Sequence, residues 1–152
     1  MNQYTNILLA EDDVDDYLYL VEAFESISSE FKITRAGNGL ECITILKTKA
    51  KPDIVFLDLN MPIKKGLECL KFIREHDRFD DVPVIIYSTS HYIKDIDAAY
   101  KGGANFYIVK PSSSENLTEI LIFVMSRLTE TLRQADISEF VLRIPETIEA
   151  GK

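Results

Sequence analysis

The sequence predicts an α/β protein, an open and doubly wound sheet of five parallel strands with helices on both faces. Two observations carry this. Short apolar or β-branched runs alternate five times with segments of helical period, which requires right-handed βαβ crossovers. Most of those runs are continuous rather than alternating, the pattern of strands covered on both faces.

Residues 7–10 (ILLA), 54–57 (IVFL), 84–87 (VIIY) and 106–109 (FYIV) are unbroken apolar runs. Residues 31–36 (FKITRA) alternate, with Phe31, Ile33 and Arg35 on one face, which marks an edge strand. Helical period follows each run. Residues 15–27 repeat Leu18, Val21 and Phe24 at spacings of three; residues 40–49 offer Ile43 and Leu46; residues 66–76 offer Leu67, Leu70 and Ile73. Residues 93–101 carry Ile96, Ala99 and Tyr100, and residues 113–132 carry the stripe Leu117, Ile120, Leu121, Val124 and Leu128. Turn chemistry agrees: Asn38-Gly39 precedes the second helix, Lys51-Pro52 follows it, Gly102-Gly103 closes the fourth, and serines at 112–114 can cap the fifth. Residues 1–132 therefore form one domain. Residues 133–152 keep Ile137, Phe140, Val141, Leu142 and Ile144 before Pro145. They are too few for an output domain, and are expected to pack back on the helices or to meet a second chain.

A chain of 152 residues with 46% hydrophobic and 28% charged residues is an ordinary globular domain with a real core. Its formal net charge of -8 argues against nucleic acid and against anionic membrane as partners, since both reward basic patches. The start, MNQYTNILLA, lacks the basic segment of a signal peptide, and no stretch approaches the roughly 18 apolar residues of a membrane span. Cys42 and Cys69 fall within amphipathic patterns, as reduced packing residues do. A cytoplasmic protein is expected.

Polar residues gather where the strands end. The first strand runs into Glu11-Asp12-Asp13, the third into Asp58, the fourth into Ser88-Thr89-Ser90 and the fifth into Lys110-Pro111. In a parallel sheet these ends share one edge, where open α/β sheets place their ligands. Two carboxylates about 4 Å apart repel by roughly 4 kcal/mol at an effective dielectric of 20. Glu11, Asp12 and Asp58 therefore call for a lysine, raised pKa values or a divalent cation. An oxygen-only ligand set suits Mg²⁺ or Mn²⁺ rather than zinc. With a metal present Asp58 becomes a candidate nucleophile toward phosphorus, with Lys110 and Ser88 facing the phosphoryl oxygens.

These residues, LLAEDD, DLNMPIKKG, VIIYSTS and YIVKP in this order, resemble the receiver domain of two-component response regulators over residues 5–132. The resemblance implies a flavodoxin-like sheet of order 2-1-3-4-5. It implies that Asp58 accepts a phosphoryl group from a sensor histidine kinase or a histidine phosphotransfer protein. It makes Asp12 a direct metal ligand, Glu11 a ligand through water, and Asn60 a ligand through its backbone carbonyl. Ser88 matches the hydroxyl that follows the phosphoryl group, Tyr107 the aromatic that rotates on activation, and Lys110 the acceptor's lysine. Pro111 matches a proline whose peptide is typically cis, and Gly66 fits the loop length after the acceptor. By the same analogy Asn60 and Ser90 flank the attacking water during hydrolysis. Serine stands where threonine is commoner at 88, and serines follow Pro111 where Phe is frequent. The chain is similar to stand-alone receivers with an extended C-terminus, some of which serve phytochrome-type kinases. Output is then binding to a downstream protein, and the protein is not an enzyme beyond promoting its own phosphorylation and dephosphorylation.

Several plainer assignments compete with these. Asp15 and Asp16 fit the first turn of a helix, where acids oppose the macrodipole, and this reading is favoured for both. EDDVDD lacks the glycine and distal glutamate of a calcium loop. A constitutive module that is never phosphorylated conflicts with a complete set of site residues. An aspartyl-phosphate phosphatase wants a second Asp where Asn60 stands. Nucleotide binding lacks any GxxxxGK[ST] or GxGxxG run. Ser88 has the plainer alternative of bonding to backbone. Homodimerisation through the fourth and fifth helices, or through residues 137–144, stays open.

Overall fold

The computed structural model of the chain describes residues 4–143; Ile144 and Pro145 lie outside the described residues. Five βα units appear in the expected order: β1 (Asn6–Ala10), α1 (Val14–Ile27), β2 (Lys32–Ala36), α2 (Gly39–Thr48), β3 (Ile54–Leu57), α3 (Gly66–Glu75), β4 (Val84–Ser88), α4 (Ile93–Lys101), β5 (Phe106–Val109) and α5 (Ser114–Glu130). A short α6 (Ile137–Phe140) and a two-residue β6 (Val141–Leu142) follow. The sheet is parallel throughout, in the order β2-β1-β3-β4-β5-β6.

Alternate residues of each strand feed two cores. Leu8, Val55, Leu57, Val84, Ile86 and Tyr107 face Cys42, Leu46, Leu70, Ile73 and Ala99 of α2, α3 and α4. Leu9, Phe56, Ile85 and Ile108 face Leu20, Phe24, Leu121, Val124 and Leu128 of α1 and α5. Both faces of the central strands are thus buried, and this is why their sequences do not alternate. Strand β2 is an edge strand as its alternation predicts, with Lys32 and Thr34 exposed. Side chains cap three helices: Asp13 accepts from Asp16 N in α1, Asn38 from Glu41 N in α2, and Ser113 from Asn116 N in α5. Cys42 and Cys69 are free and buried. No helix among the described residues is long and apolar enough to cross a membrane.

The sixth strand is the difference from the sequence reading. Residues 133–142 return to the helices as expected, against Tyr100 of α4, and also to the open edge of β5, with Tyr107 paired to Val141 and Ile108 to Leu142. Gln134 Nε2 donates to the carbonyls of Tyr100 (2.7 Å) and Ala104 (2.6 Å), and Asn105 Nδ2 donates to that of Leu132 (3.0 Å). Phe140, fully buried, packs edge-on to Tyr100 at 4.9 Å between ring centroids and stands 6.2 Å from Tyr107. An edge strand otherwise leaves its backbone groups unpaired.

Two backbone features shape the loop after β3. Ile63 has φ 71, and Lys64 N donates to Pro62 O at 2.8 Å across it. That is a γ-turn of the rare, strained hand, unusual for a β-branched residue. Gly66 is required by contact: a Cβ there would lie 2.1 Å from the carbonyl oxygen of Asp58. One expectation is corrected. No peptide among the described residues is cis, the Lys110–Pro111 bond included; trans is the lower-energy isomer of an X–Pro bond by about 0.5–1 kcal/mol.

Candidate functional site

Sheet pairing continues one residue beyond β1 and β3, and this builds the site. Glu11 N donates to Ala36 O (3.0 Å), and Asp58 N donates to Ala10 O (3.0 Å). Both acids are thereby held at the C-terminal edge of the sheet. Glu11 is fully buried and Asp58 is 6% exposed, whereas Asp12 faces solvent. Arg35, from β2, donates to the backbone carbonyls of Glu11 (3.2 Å) and Asp12 (3.0 Å) and stacks on Tyr17. It fixes the backbone of the acidic pair while keeping its charge off the carboxylates.

Lys110 enters from the end of β5, where its N–H donates to Ser88 O at 2.8 Å. Its side chain is 8% exposed, and Nζ lies 2.7 Å from Glu11 Oε1, 2.8 Å from Asp16 Oδ2 and 3.4 Å from Asp58 Oδ2. The Tyr87 ring lies beneath it, 5.1 Å from Nζ to the centroid. Burial alone would lower the lysine's pKa, but Asp16, Glu11 and Asp58 outweigh it and hold the ammonium charged above its usual range. Burial, and then the neighbouring Asp58, push the Glu11 carboxyl up to about 8.

One lysine does not neutralise this cluster. Glu11, Asp12 and Asp58 each bring a carboxylate oxygen within 4.8 Å of the others. Glu11 Oε1 is buried and makes an ion pair with Lys110, yet no donor is aligned to hydrogen-bond it. A buried oxygen with an unused lone pair, in an all-oxygen group carrying excess negative charge, fits a hard divalent cation. Asp58 Oδ1 accepts from Asn60 N at 3.2 Å, which puts the Asn60 backbone beside the carboxylate.

Ser88 and Tyr107 sit one step back. Ser88 Oγ is fully buried and accepts from Ser90 N at 3.2 Å, the backbone bond that was the plainer alternative. Ser90 then connects three elements. Its carbonyl accepts from Tyr107 OH (2.8 Å), its hydroxyl donates to Asp95 Oδ2 (2.5 Å), and the same hydroxyl accepts from Tyr92 N (3.3 Å) at the start of α4. Tyr107 is fully buried, walled by Phe140.

The structure therefore brings Glu11, Asp12, Asp58, Asn60 and Lys110 together, with Gly66 shaping the acceptor loop and Pro111 beside the lysine. Ser88 and Tyr107 are linked through Ser90 and make no hydrogen bond to Asp58. Sequence reasoning missed Asp16, Asp95 and Phe140. Asp16 reads only as a first-turn acid of α1, and Asp95 and Phe140 carry no signal either, because the partners of all three are set by tertiary packing.

Residues 7–122 match the family model described as response regulator receiver domain. Response regulator Rcp1 of Synechocystis is 27% identical over 132 residues, 83% of this chain and 90% of Rcp1. Chemotaxis protein CheY1 of Helicobacter pylori is 30% identical over 118 residues, 78% of this chain and 95% of CheY1. Among solved structures, the phosphorylated cyanobacterial phytochrome response regulator RcpA superposes with a TM-score of 0.76 at 27% identity, covering 84% of this chain and 96% of RcpA. The Mn²⁺-bound form of Rcp1 gives 0.71 at 25%, covering 86% and 99%.

Proposed function

The chain belongs to the response regulator receiver domain family, and on that footing we propose that it is a phosphoacceptor of a two-component phosphorelay, with Asp58 as the acceptor. The observation that carries this is the convergence of Asp58, Glu11 and Lys110 at one buried sheet edge, within 3.4 Å of the lysine nitrogen. An Asp58 carboxylate oxygen attacks the phosphorus of a phosphohistidine. The P–O bond forms as the P–N bond breaks, and the imidazole leaves with the electron pair and takes up a proton.

Glu11, Asp12, Asp58 and the Asn60 backbone carbonyl would hold Mg²⁺, or Mn²⁺ as in the Rcp1 structure. The cation supplies positive charge to the phosphoryl oxygens. Lys110 neutralises the opposite side of the group, and the Ser88 hydroxyl, which accepts from Ser90 N in the resting protein, turns to donate to a phosphoryl oxygen. Phosphorylation exchanges the single charge of the Asp58 carboxylate for an acyl-phosphate dianion, a net gain of about one negative charge, and the loss of the Ser88–Ser90 bond is felt at Tyr107 and the start of α4. Hydrolysis by water returns free phosphate and the carboxylate. The protein thus promotes its own aspartyl phosphorylation and dephosphorylation, and is not otherwise an enzyme. Its donor is a sensor histidine kinase or histidine phosphotransfer protein, its output is protein binding, and its compartment is the cytoplasm.

Incubation with acetyl phosphate and Mg²⁺, read by intact mass beside Asp58→Asn and a metal-free control, tests this. One phosphoryl adduct that requires both Asp58 and metal is expected. An unlabelled wild type, under conditions that label another receiver, would leave a constitutive binding module instead.

A further inference from the structure

We infer that Asp16 is a positioning residue for phosphoryl transfer, holding Lys110 back from Asp58 and so setting the rate at which the acceptor is labelled. The inference rests on the phosphoacceptor reading above. In the resting protein Nζ is not centred on Asp58: it lies 2.8 Å from Asp16 Oδ2 and 2.7 Å from Glu11 Oε1, against 3.4 Å from Asp58 Oδ2. The lysine is drawn toward the side of α1.

Asp16 differs from the other two partners. Among the described residues the carboxylates near enough to share a cation are Glu11, Asp12 and Asp58, and Asp16 is not one of them. With a divalent cation held by Glu11, Asp12 and Asp58, Asp16 would be the one carboxylate left to Lys110 alone. An incoming phosphoryl dianion then competes with Asp16 for the same ammonium. The competition is built in. Asp16 N is fixed to the Asp13 cap at 3.0 Å, so the first turn of α1 presents this carboxylate at a set place. A cavity of about 140 Å³ lies beside the pair, lined by Asp16, Tyr19, Tyr87, Lys110 and Pro111, and gives the two side chains room to part. The Asp16 side chain is 32% exposed, so water can solvate it once the lysine leaves.

Removing the Asp16 charge frees an ammonium already in place and lifts one repulsion on the phosphoryl donor. The Asp16→Asn protein, full length and with Mg²⁺, should be labelled by acetyl phosphate about three- to tenfold faster than wild type. Asp16→Glu should return toward the wild-type rate. In a Lys110→Met background the same Asp16→Asn change should have no effect, because the residue acts through the lysine. A purely structural role would not produce that coupling, and thermal melts establish that each variant is folded. A labelled wild type with an Asp16→Asn rate unchanged or slower, or a rate gain that persists without Lys110, overturns this inference alone. A wild type that takes no label overturns the phosphoacceptor reading and this inference with it.

Discussion

Replacing Lys110 by Met keeps the buried stem and removes the charge, which isolates the electrostatics of the site. Nζ has three carboxylate oxygens within 3.4 Å, and the side chain is almost wholly buried. Deleting one partner of a buried ion pair costs about 3–5 kcal/mol. Two features reduce that here. Asp16 is a third exposed and can be rehydrated; Glu11, already pushed up to about 8, takes a proton at neutral pH instead of standing as an unpaired anion. A net loss of about 2–3 kcal/mol follows, and at about 2–4 °C per kcal/mol for a chain of this size the metal-free variant should melt about 4–12 °C below wild type. Saturating Mg²⁺ supplies the missing charge and binds only the folded site, so it should raise the variant's Tm by more than it raises that of wild type. Thermal melts by circular dichroism, with chelator and with Mg²⁺, measure both. A variant within about 1 °C of wild type without metal, or one with no larger Mg²⁺ response, would refute the view that Lys110 is the resting counter-ion of the site.

Three further perturbations probe other links. Phe140→Ala should cost about 3 kcal/mol in denaturant unfolding and strip the hydrogen-exchange protection of Val141 and Leu142, because the buried ring fills the space against Tyr100 and Tyr107; if only the arm is released, protection falls there alone. Gly66→Ala drives a Cβ to 2.1 Å from the Asp58 carbonyl, so it should destabilise by about 1–3 kcal/mol and slow labelling of the acceptor, both readable on one purified variant. The pH dependence follows from Glu11, whose carboxyl rises from 4.5 to about 8 on folding. A raised pKa means that the folded state holds the proton more tightly, so this group's contribution to metal-free stability is fully present below about 4.5 and is lost as pH rises through 8. Cation binding must displace that proton, so Mg²⁺ affinity measured by calorimetry should climb up to tenfold per pH unit below about 8 and level off above it.

The sheet was legible because burial on both faces writes itself into a strand as an unbroken apolar run, as IVFL and VIIY show. The acidic pair, Asp58 and Lys110 were legible for a related reason: each stands directly after such a run, and parallel strands end together. Strand β6 was not, since Val141–Leu142 is too short to carry a period and its place depends on Phe140 finding Tyr107. The pairing of Asp16 with Lys110 spans 94 residues, and an acid in a first helical turn reads the same whether it opposes a dipole or restrains a lysine. The family resemblance places Ser90 only near the attacking water. Its wider part, joining Ser88, Tyr107 and Asp95, depends on backbone groups that no side-chain pattern reveals. The strained turn at Ile63 is likewise silent, because a β-branched residue is a poor guide to positive φ.

Reductive trapping tests the central claim most directly. After labelling with acetyl phosphate and Mg²⁺, borohydride reduces an acyl phosphate to the alcohol and so converts a phosphorylated aspartate into homoserine, which peptide mass spectrometry locates. The site geometry predicts homoserine at position 58 and at no other acid, lost when the metal is chelated. Homoserine at position 12 or 16 with none at 58, or no reduction product in a protein that carries the adduct, would contradict Asp58 as the phosphoacceptor.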